Sequence, residues 1–388
     1  MLAGNVFWLS VASFLNDASS EMIFPLLPVF LVGTLGAGPA FLGIVEGVAE
    51  TTAAFVKLGG GWLSDRVRKR RALVGTGYGL AALTRPLMAA AMAPWHVLAL
   101  RFTDRVGKGV RTAPRDALLA ESVEPATRGR AFGLHRAADH AGAILGPVIA
   151  AGILLLAPGD LRLVFLLAAV PAALAVLAVV AKVREISPGE PAGNDESHAE
   201  ADPATPFTDR RFAGYLLVLV IFTLGNASDA FLLLRAEGLG VPLAMVPILW
   251  SALHVSKMVF NVLGGALSDR FGPVPAILIG WLVYAATYLG FALADQPWHA
   301  WALFGVYGLF YGLTEPTEKA LVASLAPSES RARAFGAYHF AIGVAALPAS
   351  VIFGVVWETI GVAAAFGLGA ALAVVAGVGL PVVVRGAR

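Results

Sequence analysis

The chain has 388 residues, 58% of them hydrophobic and 14% charged, with a net charge of +2 and a mean hydropathy of +0.76. A soluble domain has about a quarter of its residues charged, so a dispersed soluble enzyme is excluded, and so small a positive charge excludes a nucleic-acid binder. There is no cysteine, which removes disulfides and thiolate metal sites.

Twelve apolar runs follow one another, each near the length of about 20 residues that crosses a bilayer's hydrocarbon core. They lie at about 5–33, 40–63, 72–93, 96–120, 130–156, 161–182, 210–234, 242–267, 273–295, 298–322, 331–356 and 361–384. The first run lacks a basic n-region and a small-residue cleavage site, so it reads as a retained helix rather than a signal peptide. One long break, 183–209, is rich in Pro, Gly and acidic residues and reads as a flexible linker. The expected organisation is therefore a six-helix bundle over 1–182, a linker over 183–209 and a second six-helix bundle over 210–388. Alternate loops carry the cations: Arg66, Arg68, Lys69, Arg70 and Arg71, then Arg128 and Arg130, then Lys182, Arg184, Arg210 and Arg211, then Arg270, then Arg331 and Arg333. The opposite loops have almost none, with Arg235 the main exception. The positive-inside rule then predicts an integral membrane protein with both termini and the linker cytoplasmic.

The two halves repeat. VKLGGGWLSDR at 56–66 matches NVLGGALSDR at 261–270, which sets Asp65 over Asp269 and Arg66 over Arg270. RDALLAESVEPATRGRAFG lies over EKALVASLAPSESRARAFG at nearly the same offset. Chance likeness between apolar segments explains matched Ala and Leu, but not matched S-D-R and R-x-R-A-F-G. Two parallel six-helix repeats belong to one transporter architecture.

The run from Gly61 to Arg70, GWLSDRVRKR, resembles the signature between the second and third helices of the major facilitator superfamily, G-x-L-a-D-R-x-G-R-R. Arg68 stands where the family has Gly. Arg105-Val-Gly-Lys108-Gly109 resembles the family's R-x-x-x-G pattern in the fourth helix, and Gly142-x-x-x-Gly146-Pro147 resembles its antiporter motif in the fifth. Close glycines let helices approach, and a proline bends the helix that carries it. The resemblance implies an all-α membrane protein with twelve transmembrane helices in two pseudo-symmetric halves. It implies alternating access, a cytoplasmic latch around Gly61, Asp65, Arg66, Arg70, Asp269 and Arg270, and kinship with the proton antiporters for drugs and metabolites. No cofactor and no metal are expected: His96, His135 and His140 lack ligand spacing.

An ionisable residue within a span costs about 2.5–3.5 kcal/mol on insertion scales and so faces a partner or a wet cavity. The first half carries eight such cations and seven anions. Their near balance predicts mutual pairing, above all for Arg85, Arg115, Asp116, Arg136 and Asp139. Arg101, Arg105, Lys108, Arg111 and Arg115 recur at steps of three or four along one stripe of the fourth span. A rise of 1.5 Å per residue puts Asp17, Glu50, Arg105 and Lys108 near the midplane, with Glu21 and Glu46 further out. Asp17, then Glu21 and Glu50, are the proton-coupling candidates, with Arg105 implied by the family pattern. Glu46, Arg101, Lys108 and Arg111 are cavity candidates, joined in the second half by Asn226, Asp229, His254, Lys257, Glu315, Tyr338 and His339.

Two transport readings compete with one another. The carboxylates and the antiporter-like motif favour proton-coupled export of a small organic molecule from a bacterial cell, across its plasma (inner) membrane. The basic stripe favours symport or facilitated passage of an organic anion, because paired cations attract carboxylate or phosphate. Anionic-metabolite export merges the two, and lipid handling is a third reading. The expected partners are a small-molecule substrate, protons and the bilayer, with no nucleic acid, and the chain is expected to act as a monomer.

Overall fold

A computed structural model describes residues 4–67, 69–124, 127–185, 210–325 and 331–385. Twelve long helices account for the twelve runs, and no strand occurs among the described residues. In the first half these are α1 (Gly4–Thr34), α2 (Pro39–Val67), α3 (Arg70–Ala89), α4 (Pro94–Glu121), α5 (Arg128–Leu156) and α6 (Leu161–Lys182). In the second half they are α7 (Arg210–Gly238), α8 (Val246–Phe271), α9 (Pro273–Leu293), α10 (Pro297–Leu325), α11 (Arg331–Thr359) and α12 (Val362–Arg385). Nine are long and apolar enough to cross a membrane by composition alone, among the described residues; α3, α4 and α10 are the others. Those three are the polar or aromatic helices, though each still exposes apolar side chains such as Leu83, Phe102 and Val306. Leu155, Leu156, Leu293 and Val378 point outward and exposed, as a surface bathed in lipid tails allows.

The pairings of the first half recur in the second. α1 packs on α5 and α6, as α7 packs on α11 and α12. α2 meets α4 as α8 meets α10, and α3 contacts α4 and α6 as α9 contacts α10 and α12. The register repeats too. A Cβ at Gly109 would strike Val56 of α2, and one at Gly312 would strike Phe260 of α8. These are matched positions of the sequence repeat. The halves meet through α2 on α11 and α5 on α8, again a symmetric pair of contacts. The chain is thus an all-α membrane protein of two pseudo-symmetric six-helix halves.

Two helices depart from the continuous spans expected. α1 narrows to a 3-10 turn at Phe24–Leu26 and widens to a π turn at Phe30–Thr34. Pro25 and Pro28 cause this, since each lacks an N–H and crowds the carbonyl of the preceding turn. α7 loses helical hydrogen bonding over Asn226–Ser228 and resumes at Ala230. Its freed groups find new partners: the Tyr284 hydroxyl donates to the Gly225 carbonyl at 2.7 Å, and the Ser228 amide to Ser350 Oγ at 3.3 Å. A broken helix at membrane depth persists only when its backbone is satisfied in this way.

Contacts between the halves concentrate at one end. The Ala40 amide donates to Glu358 at 3.0 Å, Gly43 abuts Ser350, Gly47 abuts Leu347, and the Thr51 hydroxyl donates to the Gly343 carbonyl at 2.7 Å. This is the end opposite the start of α1 and the end of α12.

Candidate functional site

Parallel packing of α2 and α4 brings equal depths together, and two ion pairs result. Arg101 Nη2 donates to both Glu46 oxygens at 2.8 and 2.9 Å, with both residues buried. One turn deeper, Arg105 Nη2 lies 3.3 Å from Glu50 Oε1. On the α3 side, Arg85 Nη2 lies 2.9 Å from Asp104 Oδ1 and donates to Ser20 Oγ at 2.8 Å. Arg111 is buried over the Tyr78 ring at 4.7 Å and donates weakly to the Gly77 carbonyl at 3.4 Å. Arg115 reaches Asp116 at 3.0 Å and Ser13 of α1 at 3.2 Å. The single basic stripe therefore fans out over three neighbouring helices, because steps of three and four drift around a helix of 3.6 residues per turn.

These groups surround a narrow cleft of about 90 Å³ lined by Asp17, Glu21, Arg85, Arg101, Asp104, Arg105, Lys108 and Arg111. Asp17 accepts a hydrogen bond from Asn16 Nδ2 at 3.1 Å and has no ion pair among the described residues. Lys108 is exposed and lines the cleft, and its ammonium has no hydrogen bond or ion pair among the described residues. Asp139 and Lys108 both stand within electrostatic reach of Asp17. Glu21 faces the other half: Trp250 Nε1 donates to it at 2.7 Å, and His254 Nε2 stands 4.0 Å away. Another link across the halves is weaker, from Ser228 Oγ to Glu46 at 3.3 Å.

The second half holds its carboxylates differently. Asp229 sits at the break of α7, at the start of the helix that resumes there. The hydroxyls of Tyr307 and Tyr311 donate to it at 2.9 and 2.7 Å, and Lys257 Nζ stands at 3.6 Å. That ammonium lies 3.3 Å over the Tyr311 ring. Glu318 is buried and accepts from Tyr338 at 2.9 Å and Trp281 at 3.3 Å. Asn226 occupies the α7 break, while Glu315 and His339 are exposed. Glu318 and Trp250 did not stand out in the sequence. Both had a signal there: Trp250 falls over Glu46 in the repeat, and Glu318 falls over Arg115.

The antiporter-like motif packs α5 against α1. A Cβ at Gly142 would strike the Phe14 carbonyl, and one at Gly146 the Ala18 carbonyl, so this contact holds the helix that carries Asp17. Pro147 follows within the same helix without ending it. Of the latch residues, the side chains of Gly61, Asp65, Arg66 and Asp269 lie outside the described residues, as do most of the linker positions, 186–209. The Arg70 amide donates to Glu185 at 2.9 Å and its guanidinium meets Glu121. Arg270 stacks on Phe271 at 5.2 Å.

Comparison with known proteins agrees with this architecture. The family model described as Major Facilitator Superfamily matches residues 9–256 and 230–387. An uncharacterized MFS-type transporter of Methanocaldococcus jannaschii is 33% identical over 386 residues, 97% of this chain and 94% of that one. Multidrug resistance protein MdtH of Cronobacter sakazakii is 27% identical over 318 residues, 81% of this chain and 77% of its own. A point mutant of the nucleoside transporter NupG superposes with a TM-score of 0.82 at 16% identity, covering 97% of this chain and 99% of that chain.

Proposed function

The chain belongs to the Major Facilitator Superfamily of membrane transporters, and from that premise we propose that it is a proton-coupled antiporter that exports a small organic molecule. It is a transporter and not an enzyme, so its task is to bind a solute and change which side the solute faces. The likeness to MdtH supports the export reading. With the termini in the cytoplasm of a bacterial cell, as the Lys/Arg distribution predicts, the closed end is extracellular and the arrangement is inward-facing. A single chain supplies both halves of the cavity, so the working unit is a monomer.

The observation that carries the reading is the hydrogen bond from Trp250 to Glu21 across the halves. A carboxylate accepts a far stronger bond than a protonated carboxyl. A proton arriving at Glu21 weakens the tie between α1 and α8 and favours opening to the outside; its loss restores the tie. Asp17 lies four positions earlier on the same helix face, beside the cleft and with one neutral donor. It exchanges the proton with the solute. The competing organic-anion reading loses support because Arg85, Arg101 and Arg105 already have carboxylate partners.

The test uses purified protein in liposomes with trapped pyranine, and anionic, cationic, neutral and zwitterionic solutes added singly. At least one solute is expected to drive protons in the opposite direction, and Asp17→Asn and Glu21→Gln to abolish that flux. Protons moving in the solute's direction, or solute transport indifferent to collapse of the gradient, would overturn the proposal.

A further inference from the structure

Charge bookkeeping in the cleft narrows the solute. Arg85 is matched by Asp104, Arg101 by Glu46 and Arg105 by Glu50. Arg111 is held by the Tyr78 ring and a carbonyl, and Glu21 by Trp250. Glu21 and Arg111 keep their charge but have these neutral partners; the least satisfied side chains are then one carboxylate and one ammonium. Asp17 has only the Asn16 amide, and the Lys108 ammonium has no hydrogen-bond or ion-pair partner among the described residues. They project from different helices, α1 and α4, into the same cleft. Asp139 of α5 adds a second negative charge on the Asp17 side, 3.7 Å from His135. Arg105 and Arg111 flank the Lys108 side.

We propose that the transported molecule is a small zwitterion, its anionic group bound by Lys108 and its cationic group by Asp17. This rests on the reading of the cleft as the transport site. Two opposite charges without partners in a closing cavity are costly, since desolvation must be repaid by pairing. A neutral guest repays neither. An anion satisfies Lys108 and leaves Asp17 alone; a cation does the reverse. A zwitterion satisfies both and adds no net charge to the cavity. The loaded bundle then changes its access without carrying an extra charge through low dielectric. Lys108 also acquires a use that sets it apart from the three arginines, which are occupied in pairs.

The probes are matched sets on one skeleton: a dipeptide, an aminophosphonate and a betaine, each with its N-blocked or amine-free anion and its esterified cation. Binding is read by thermal shift and by titration calorimetry in nanodiscs at one pH with no gradient. Charge class is thereby measured independently of proton coupling, which the liposome flux reports. Zwitterionic members are expected to bind at least about tenfold more tightly than their singly charged relatives, the effect of one charge-assisted hydrogen bond. Lys108→Gln should erase the advantage over the cation, and Asp17→Asn the advantage over the anion. Both variants keep the protein's size-exclusion profile if only binding is lost; should either misfold, the wild-type ranking alone decides. Preference for a singly charged or neutral member, or no binding by any zwitterion of the three sets, overturns the inference. Loss of proton flux with zwitterion binding intact would instead overturn the antiport reading and leave this one standing.

Discussion

The two halves share every helix pairing yet bury their carboxylates by different chemistry. In the first half, Glu46, Glu50 and Asp104 each face an arginine. In the second, Asp229 and Glu318 are held mainly by aromatic donors: Tyr307 and Tyr311 for one, Trp281 and Tyr338 for the other. Ion pairs satisfy charge with charge, so removing one partner strands the other. Aromatic donors share the load among several neutral groups, and each can be lost without leaving an uncompensated cation. The fold therefore sets where polar groups sit, while the side chains set how strongly they depend on one another. The first half thus matches buried charge with charge, while the second surrounds its carboxylates with aromatic donors, Lys257 standing beside Asp229.

The largest effect should follow from breaking the buried pair in which one nitrogen serves both carboxylate oxygens. Arg101→Ala leaves Glu46 buried with the Ser228 hydroxyl at 3.3 Å as its remaining donor, and is expected to destabilise the protein by about 3–5 kcal/mol. Replacing both, Arg101→Met with Glu46→Leu, should recover most of that loss. Thermal unfolding in detergent measures both. If the double variant is no more stable than Arg101→Ala, the first half is not held by charge matching and the contrast fails.

The tie between the halves comes next. Trp250→Phe keeps the ring and removes one donor to a charged acceptor, a loss of about 1.5–3 kcal/mol. That energy should appear as a change in conformational population rather than in folding. The chain has no native cysteine, so a single cysteine at Val351, beside Gly43 at the closed end, reports on opening by its rate of labelling. Labelling is expected to rise about tenfold or more. An unchanged rate would mean that Glu21 does not join the halves through this bond.

Much of this architecture is legible in the sequence because membrane insertion leaves a strong imprint. The fifth and sixth spans, expected at 130–156 and 161–182, match Arg128–Leu156 and Leu161–Lys182 within two residues. The repeat predicts the shared register that Gly109 and Gly312 display. The pairing of α2 with α4 is half legible: both helices start at the same end, so Glu46 and Arg101 lie at equal depth, as do Glu50 and Arg105. Depth alone does not choose the neighbouring helix, however, and the stripe on α4 accordingly splits among α1, α2 and α3. The α7 break was hidden because Gly225 and Asn226 are weak breakers by themselves. Its stability depends on Tyr284 and Ser350, far along the chain.

The same limit explains the smallest expected effect and gives the comparison its sharpest test. Glu315 and Glu318 lie one turn apart on α10, and Glu315, not Glu318, is the cavity candidate expected from the sequence. Three positions put them about 60° apart around the helix, and their surroundings separate them: Glu315 is exposed, while Glu318 receives Tyr338 and Trp281. Tyr338→Phe should cost about 1 kcal/mol of stability, because Trp281 still donates to Glu318. Glu315→Gln should stay within about 0.5 kcal/mol of the parent, as a surface change away from any buried network does. Denaturant titration of the two variants side by side separates these values. Equal losses would mean that α10 presents Glu315 inward, and the aromatic account of the second half would have to be redrawn around it.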